Sequence, residues 1–326
     1  MTLSRLTRVT GAALAAGLVF AAAPASAVVA AAPPFSGLIA FGDSLTDDGN
    51  LFALFGQAYP AAPYYQGRFS NGPVAVEILA SGLGLGGAQF NDLALAGART
   101  GLSGSADGTI GRATGMLTQL AGFQAALGSS GLADGNALYF VWGGANDMRD
   151  AFAARNVQGG LTTAITNLVT IVSTLHGLGA TNFFLPNLPD LGLTPEARSQ
   201  PDPIQGVSFS SLATSASEAF NQQLSAAYGS LAAQWTDEHF YYYNAMAEQR
   251  AISDGAPGNG FTNVTTACIG TAACATSLYF DAIHPTAAAH QILGSQMLAA
   301  VPEPQTMLML AAGLLVLLGV AKRRRA

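Results

Sequence analysis

Four apolar residues, Leu38-Ile39-Ala40-Phe41, run unbroken into Gly42-Asp43-Ser44 and then into a polar, glycine-bearing loop, Leu45-Thr46-Asp47-Asp48-Gly49-Asn50. Such a run offers no face to water, so it reads as an interior strand of a parallel sheet that delivers a serine to the sheet edge. The pattern then recurs. Asp92–Ala98 reads as a second buried strand ending in small residues, and Ala137–Trp142 as a third that stops at Gly143-Gly144-Ala145-Asn146-Asp147. Asn182–Pro186 and His239–Tyr243 follow, with the aromatic run Phe240–Tyr243 expected in the sheet core or, alternatively, as a platform for carbohydrate.

Between the strands lie helical patterns over Val74–Leu83, opened by Pro73, and over Ala113–Leu127, Leu161–Leu175 and Phe209–Trp235. An alanine-rich helix closes the series after Pro285 and runs through Leu298. Alternation of this kind predicts βαβ units and an α/β fold with a parallel sheet in a single domain. The proline-rich stretch Pro189–Val207 reads as a surface excursion over one side of the sheet edge.

Both ends carry other signals. Arg5 and Arg8 precede an uncharged apolar run, Gly11–Ala23, and Ala25-Ser26-Ala27 offers a small-residue cleavage site, so residues 1–27 read as a secretory signal peptide. Residues 28–300 are then the folded domain. In residues 301–326, Pro302-Glu303-Pro304 is followed by an apolar stretch, Met307–Ala321, and by Lys322-Arg323-Arg324-Arg325, the layout of a short membrane-inserting segment with a cytoplasmic positive stop. Trimming both ends removes six of the 13 basic residues and one of the 19 acids, which leaves a net charge of −11 and no basic footprint for nucleic acid. Cys268 and Cys274 are the only cysteines, and an exported setting favours a disulfide between them over free thiols or half a metal site.

Chemistry concentrates at the strand ends. Ser44 can act as a nucleophile if an imidazole takes its proton, although Gly-Asp-Ser also occurs in ordinary turns. Asp281 and His284, three apart on a turn closed by Pro285, suit a carboxylate holding one imidazole nitrogen while the other faces a nucleophile. The N–H groups of Ser44 and Gly97 and the side-chain amide of Asn146 are candidate donors to an oxyanion; for Asn146 the competing role is capping beside Asp147. Asp43, Asp47, Asp48 and Asn50 lack the acidic spacing and terminal Glu of a calcium loop. His284 and His290 lack zinc spacing, and His290 reads as structural.

Gly42-Asp43-Ser44-Leu45, Gly97, Gly144-Ala145-Asn146-Asp147 and Asp281-Ala282-Ile283-His284 resemble, in order and spacing, the four blocks of the GDSL or SGNH hydrolases. Phe41–Asn50, Arg68–Pro73, Leu185–Pro189, Gly260–Thr265 and His284-Pro285-Thr286 look further like secreted lipase/esterases and autotransporter esterase domains. The tail resembles the PEP-CTERM sorting signal. The resemblance implies a flavodoxin-like three-layer fold around a central parallel sheet and hydrolysis of acyl esters or lipids without a cofactor or metal. Ser44 would be the nucleophile, His284 the base and acid, Asp281 its orienter, and Ser44, Gly97 and Asn146 the oxyanion hole. The tail implies a membrane transpeptidase as partner, transient membrane contact, and a place in the cell envelope, at the surface or in the extracellular matrix. Two alternatives stand beside this: a deacetylase of extracellular polysaccharide working by the same mechanism, and a non-catalytic matrix-binding protein. The chain departs from the pattern at Arg99, which would narrow or charge the site, and at Phe280, where tryptophan is frequent.

Overall fold

The computed structural model describes residues 35–203, 205–255 and 257–301. Five parallel strands, β1 (Leu38–Gly42), β2 (Phe90–Asp92), β3 (Leu138–Trp142), β4 (Asn182–Pro186) and β5 (His239–Tyr243), form one sheet in the order β2-β1-β3-β4-β5. That is the doubly wound order of flavodoxin-like folds, in which the chain reverses direction across the sheet at β1 and β3.

Successive side chains of a strand point to opposite faces, and the apolar runs serve both. Phe41, Tyr139 and Val141 pack into one core with the helices Met116–Ala126, Val157–Gly177 and Phe209–Gln234. Leu38, Ala40, Leu138, Phe140 and Trp142 pack into the other with Ala75–Gly82, Ala245–Asp254 and Ala287–Ala299. Three layers result, and β3, buried at all five positions, is the spine. Each large apolar side chain so buried contributes about 1.5–3 kcal/mol. The first and last of these helices lie so close that a Cβ on Gly294 would sit 2.6 Å from Ile78 Cβ and 2.7 Å from the Ala75 carbonyl.

Several expectations need correction. The strand expected over Asp92–Ala98 is Phe90–Asp92, at the sheet edge rather than buried. Beyond it the chain still follows β1, through Leu93 N–H to Ala40 O and Leu95 N–H to Gly42 O, but Asn50 Nδ2 takes the Asp92 and Ala94 carbonyls and ends the ladder. Phe240–Tyr243 is core only in part: β5 is the opposite edge, Tyr243 is buried, Phe240 and Tyr241 pack half-buried against the two cores, and Tyr242 is 49% exposed. Pro189–Val207 is a surface excursion only in part: residues 198–203 are exposed, but Asp190, Thr194 and Ala197 are buried and Pro195–Ser199 is helical. The helix expected to begin at Ala113 begins at Met116, after the Thr114 hydroxyl has bonded Asp107.

Two short strands outside the main sheet, β6 (Asn263–Ala267) and β7 (Ser277–Tyr279), pair parallel, and a Cys268–Cys274 disulfide lies in the loop between them. Among the described residues no helix is long and apolar enough to cross a membrane. The expected signal peptide and the apolar stretch of the sorting tail lie outside the described residues.

Candidate active site

Ser44 leaves the end of β1 on a tight turn. The Asp43 carbonyl accepts from the N–H groups of Thr46 and Asp47, and the Asp43 carboxylate accepts from Leu45 N–H. Gly42 is obligatory, since a Cβ there would meet Thr46 Oγ1 at 2.7 Å and Trp142 O at 2.8 Å, and Gln119 brackets its N–H and carbonyl together. Asp47 then accepts from four backbone amides, those of Gly49, Asn50, Leu51 and Ala96. The last of these ties the serine loop to the chain just before Gly97. Burial raises the Asp43 and Asp47 carboxyls to about 6 each, against the lowering effect of these amides. The carboxylates of Asp47, Asp48 and Asp92 lie within 4.8 Å of one another, but the Asp47 oxygens are already committed to main chain.

Gly97 sits at φ 78°, and a Cβ on it would fall 1.9 Å from Ser105 Oγ, so no other residue fits this left-handed turn. Asn146 lies one residue inside the helix Ala145–Ala153, whose N-cap is Gly144, so it is not a cap. Its Nδ2 donates to Ala98 O at 3.0 Å, and Asp147 accepts from the N–H and hydroxyl of Thr100. The loops after β1, β2 and β3 are thereby pinned side by side. Among the described residues the N–H groups of Ser44 and Gly97 donate to no protein acceptor.

From the other end of the chain, His284 Nε2 stands 2.7 Å from Ser44 Oγ, and His284 Nδ1 stands 2.7 Å from Asp281 Oδ2. Burial pushes the Asp281 carboxyl up. The His284 hydrogen bond and charge, with the Ile283 and His284 N–H groups, outweigh that and hold it at about 2. An ionised Asp281 can only accept, so Nδ1 carries the ring proton and Nε2 accepts from the Ser44 hydroxyl. A further partner has no signal in the sequence: Tyr64 Oη donates to Asp281 Oδ2 at 2.8 Å, while its ring packs edge-on against Phe280. The Phe69 ring centroid lies 5.1 Å from that of His284.

Two cavities of about 510 and 650 Å³ meet at Ser44, Asn146 and His284. Both are also lined by Arg149 and Glu196, a bidentate ion pair with bonds of 2.6 and 2.8 Å. Arg99, expected to charge the site, lines neither cavity and pairs with Asp150 instead. Arg149 was the arginine to watch, because it lies three residues after Asn146 and so on the same helix face, with Nη1 3.5 Å from Asn146 Oδ1. His290 is buried on the helix Ala287–Ala299, where its Nδ1 accepts from Ala75 N–H, and burial lowers its pKa to about 3.

The family model for GDSL-like lipase/acylhydrolases matches residues 38–297, and that for the PEP-CTERM protein-sorting motif matches residues 300–325. The chain is 26% identical over 308 residues to a GDSL esterase/lipase of Arabidopsis thaliana, covering 81% of this chain and 88% of that protein. It is 32% identical over 182 residues to a phosphatidylcholine-sterol acyltransferase of Aeromonas hydrophila, covering 51% of this chain and 48% of the other. Among solved structures it resembles an acetylxylan esterase of Geobacillus stearothermophilus at 14% identity and a TM-score of 0.45, covering 82% of this chain and 95% of that one.

Proposed function

The chain belongs to the GDSL-like lipase/acylhydrolase family and is an ester hydrolase, and from that premise we propose that it works through a Ser44–His284–Asp281 triad and an acyl-enzyme. The observation that carries this reading is the unbroken relay from Ser44 Oγ through both nitrogens of His284 to Asp281, with each bond 2.7 Å. An acyl ester binds with its carbonyl oxygen toward the N–H groups of Ser44 and Gly97 and the Asn146 amide. Ser44 Oγ attacks the carbonyl carbon as its proton passes to His284 Nε2. The tetrahedral intermediate carries its negative charge on the oxygen facing those three donors, and losing one such donor typically costs about 3 kcal/mol. Collapse breaks the bond to the alcohol oxygen, which leaves with the proton from His284. Water, deprotonated by the same nitrogen, then attacks the acyl-Ser44 ester, releases the acid and restores the hydroxyl. The sequence of steps is complete without a cofactor.

The sorting motif indicates export to the cell envelope or surface. We further propose that residues 1–27 are removed as a signal peptide, that residues 28–300 form the hydrolase domain, and that a membrane transpeptidase processes residues 301–326.

Replacing Ser44 by Ala removes the nucleophile from a turn whose own bonds are all main-chain or from neighbouring side chains, so the fold stays. Turnover is expected to fall by about a millionfold, and labelling by a serine-directed phosphonate to disappear with it. Activity retained in a folded Ser44→Ala protein overturns the assignment.

A further inference from the structure

Arg149 and Glu196 come from separate parts of the fold and meet where both cavities open on Ser44. Arg149 stands on the helix Ala145–Ala153, which is seated by the buried Met148 and Ala151 and by the bonds from Thr100 to Asp147. Glu196 stands on the short helix Pro195–Ser199, whose end and continuation, residues 198–203, are exposed. Nε and Nη2 of Arg149 donate to the two Glu196 oxygens at 2.8 and 2.6 Å, and Nη1 stands 3.5 Å from Asn146 Oδ1. In the other direction, Glu196 N–H donates to the Ala282 carbonyl at 2.8 Å. Ala282 is the exposed residue that follows Asp281 in the catalytic turn, and among the described residues its carbonyl has no other protein donor.

We propose that Arg149 and Glu196 are positioning residues, a clamp that sets the distance between the oxyanion donor Asn146 and the turn that carries Asp281 and His284. This rests on the triad reading above. The ester lies between those two sides, and a misplacement of about 1 Å in such a site can cost about a hundredfold in rate. A guanidinium bound through two nitrogens to a carboxylate fixes a plane as well as a distance, which an ammonium cannot do. The firm end of the clamp is the helix Ala145–Ala153, and its far end is the Ala282 carbonyl. Other roles for the pair fit less well. Among the described residues Arg149 is the only lysine or arginine lining either cavity, but Glu196 offsets its charge, so the pair has little to draw in an anionic substrate. With side chains 40% and 31% exposed, the pair adds little to the stability of the fold. Geometry at the site is what it supplies.

The test is steady-state kinetics and urea unfolding on the full chain, with p-nitrophenyl butyrate as substrate, for Arg149→Met, Glu196→Gln and the double variant. Each single substitution is expected to lower kcat about tenfold, with KM within about twofold of wild type and the urea midpoint unmoved. The double variant is expected to lose about tenfold as well, not about a hundredfold, because the two halves of one clamp cannot be lost twice. Arg149→Lys keeps the charge without the fork and should be as slow as Arg149→Met, which separates geometry from charge. If Arg149→Met does not fold, Glu196→Gln and Arg149→Lys make the measurement from either end of the pair. A kcat within about twofold of wild type in the single variants, losses that multiply in the double variant, full activity in Arg149→Lys, a change confined to KM, or a fall in stability that matches the fall in rate overturns the inference, while phosphonate labelling of Ser44 in the wild type leaves the hydrolase reading intact. A wild-type protein that neither takes the label nor turns over the ester overturns the two together.

Discussion

The Ser44 loop and the His284 turn approach to 2.7 Å, and different chemistry holds each of them. On the serine side the work is done by buried polar side chains that bond main chain: Asp47 takes four amides, Asn50 bridges two carbonyls of the next segment, and Gln119 clasps the end of β1. On the histidine side Asp281 takes two amides of its own turn, Ser70 donates to the Pro285 carbonyl, Asn71 accepts from Ala287 N–H, and the main-chain bonds Phe280 N–H to His284 O and Thr286 N–H to Leu278 O run beside the rings of Phe69 and Tyr64. A buried polar clamp is costly to lose, because every group it served is left unpaired. Asp47 is fully buried and ties two separate segments, whereas the Asp281 main-chain bonds stay within one turn, so the fold depends more on the first than on the second.

That contrast can be tested from both sides. Asp47→Ala strands four N–H groups, two of them on the buried residues Leu51 and Ala96, and should cost about 4 kcal/mol in urea unfolding. A loss under about 1 kcal/mol would mean that the clamp is not what secures the loop.

Asp43 and Asp281 set the two sides against each other by pH. Burial raises Asp43 from 3.8 to about 6, so its ionisation works against the fold: no penalty applies below pH 3.8, and the full penalty is present above pH 6. Asp43→Asn keeps the bond to Leu45 N–H and should add about 1–3 kcal/mol at pH 8 while adding none at pH 4. Asp281 runs the other way. It is held at about 2 against 3.8, so its contribution is present above pH 3.8 and fades as the pH falls through 2. Urea midpoints of Asp43→Asn that track wild type at both pH values would contradict this account.

Tyr64→Phe removes the hydroxyl from Asp281 and leaves the ring against Phe280. Unfolding free energy should change by about 1 kcal/mol or less, whereas kcat should drop about tenfold with KM unchanged as Asp281 and His284 lose their fixed orientation. Equal losses in stability and rate would erase the distinction between the two sides.

The strands β1, β3 and β4 could be read from the sequence because each is a run with no polar face, and buried parallel strands require that. Edges were harder. Phe90–Asp92 and His239–Tyr243 carry the same residue types as core strands, and nothing in a linear pattern says that a strand has one neighbour instead of two. Ser44, Gly97 and Asn146 stood out because each follows a strand, where an open parallel sheet gathers its ligands. Tyr64 and Glu196 did not, since each reaches the site through a contact that only the folded chain creates, whereas Arg149 was within reach of the sequence through its place three residues after Asn146. Tyr64 meets Asp281 across 217 positions of sequence, and Glu196 meets Arg149 across 47. Arg99 misled for the same reason: its neighbourhood in sequence is the site, and its partner in space is Asp150.

The short segment around Pro195–Ser199 does two things at once. Its Ala197 and Glu196 line the 510 Å³ cavity, and its Glu196 N–H holds the Ala282 carbonyl, one residue from Asp281. The wall of that cavity and the turn that carries Asp281 and His284 thus hang on one short support, and a displacement of the segment moves both together.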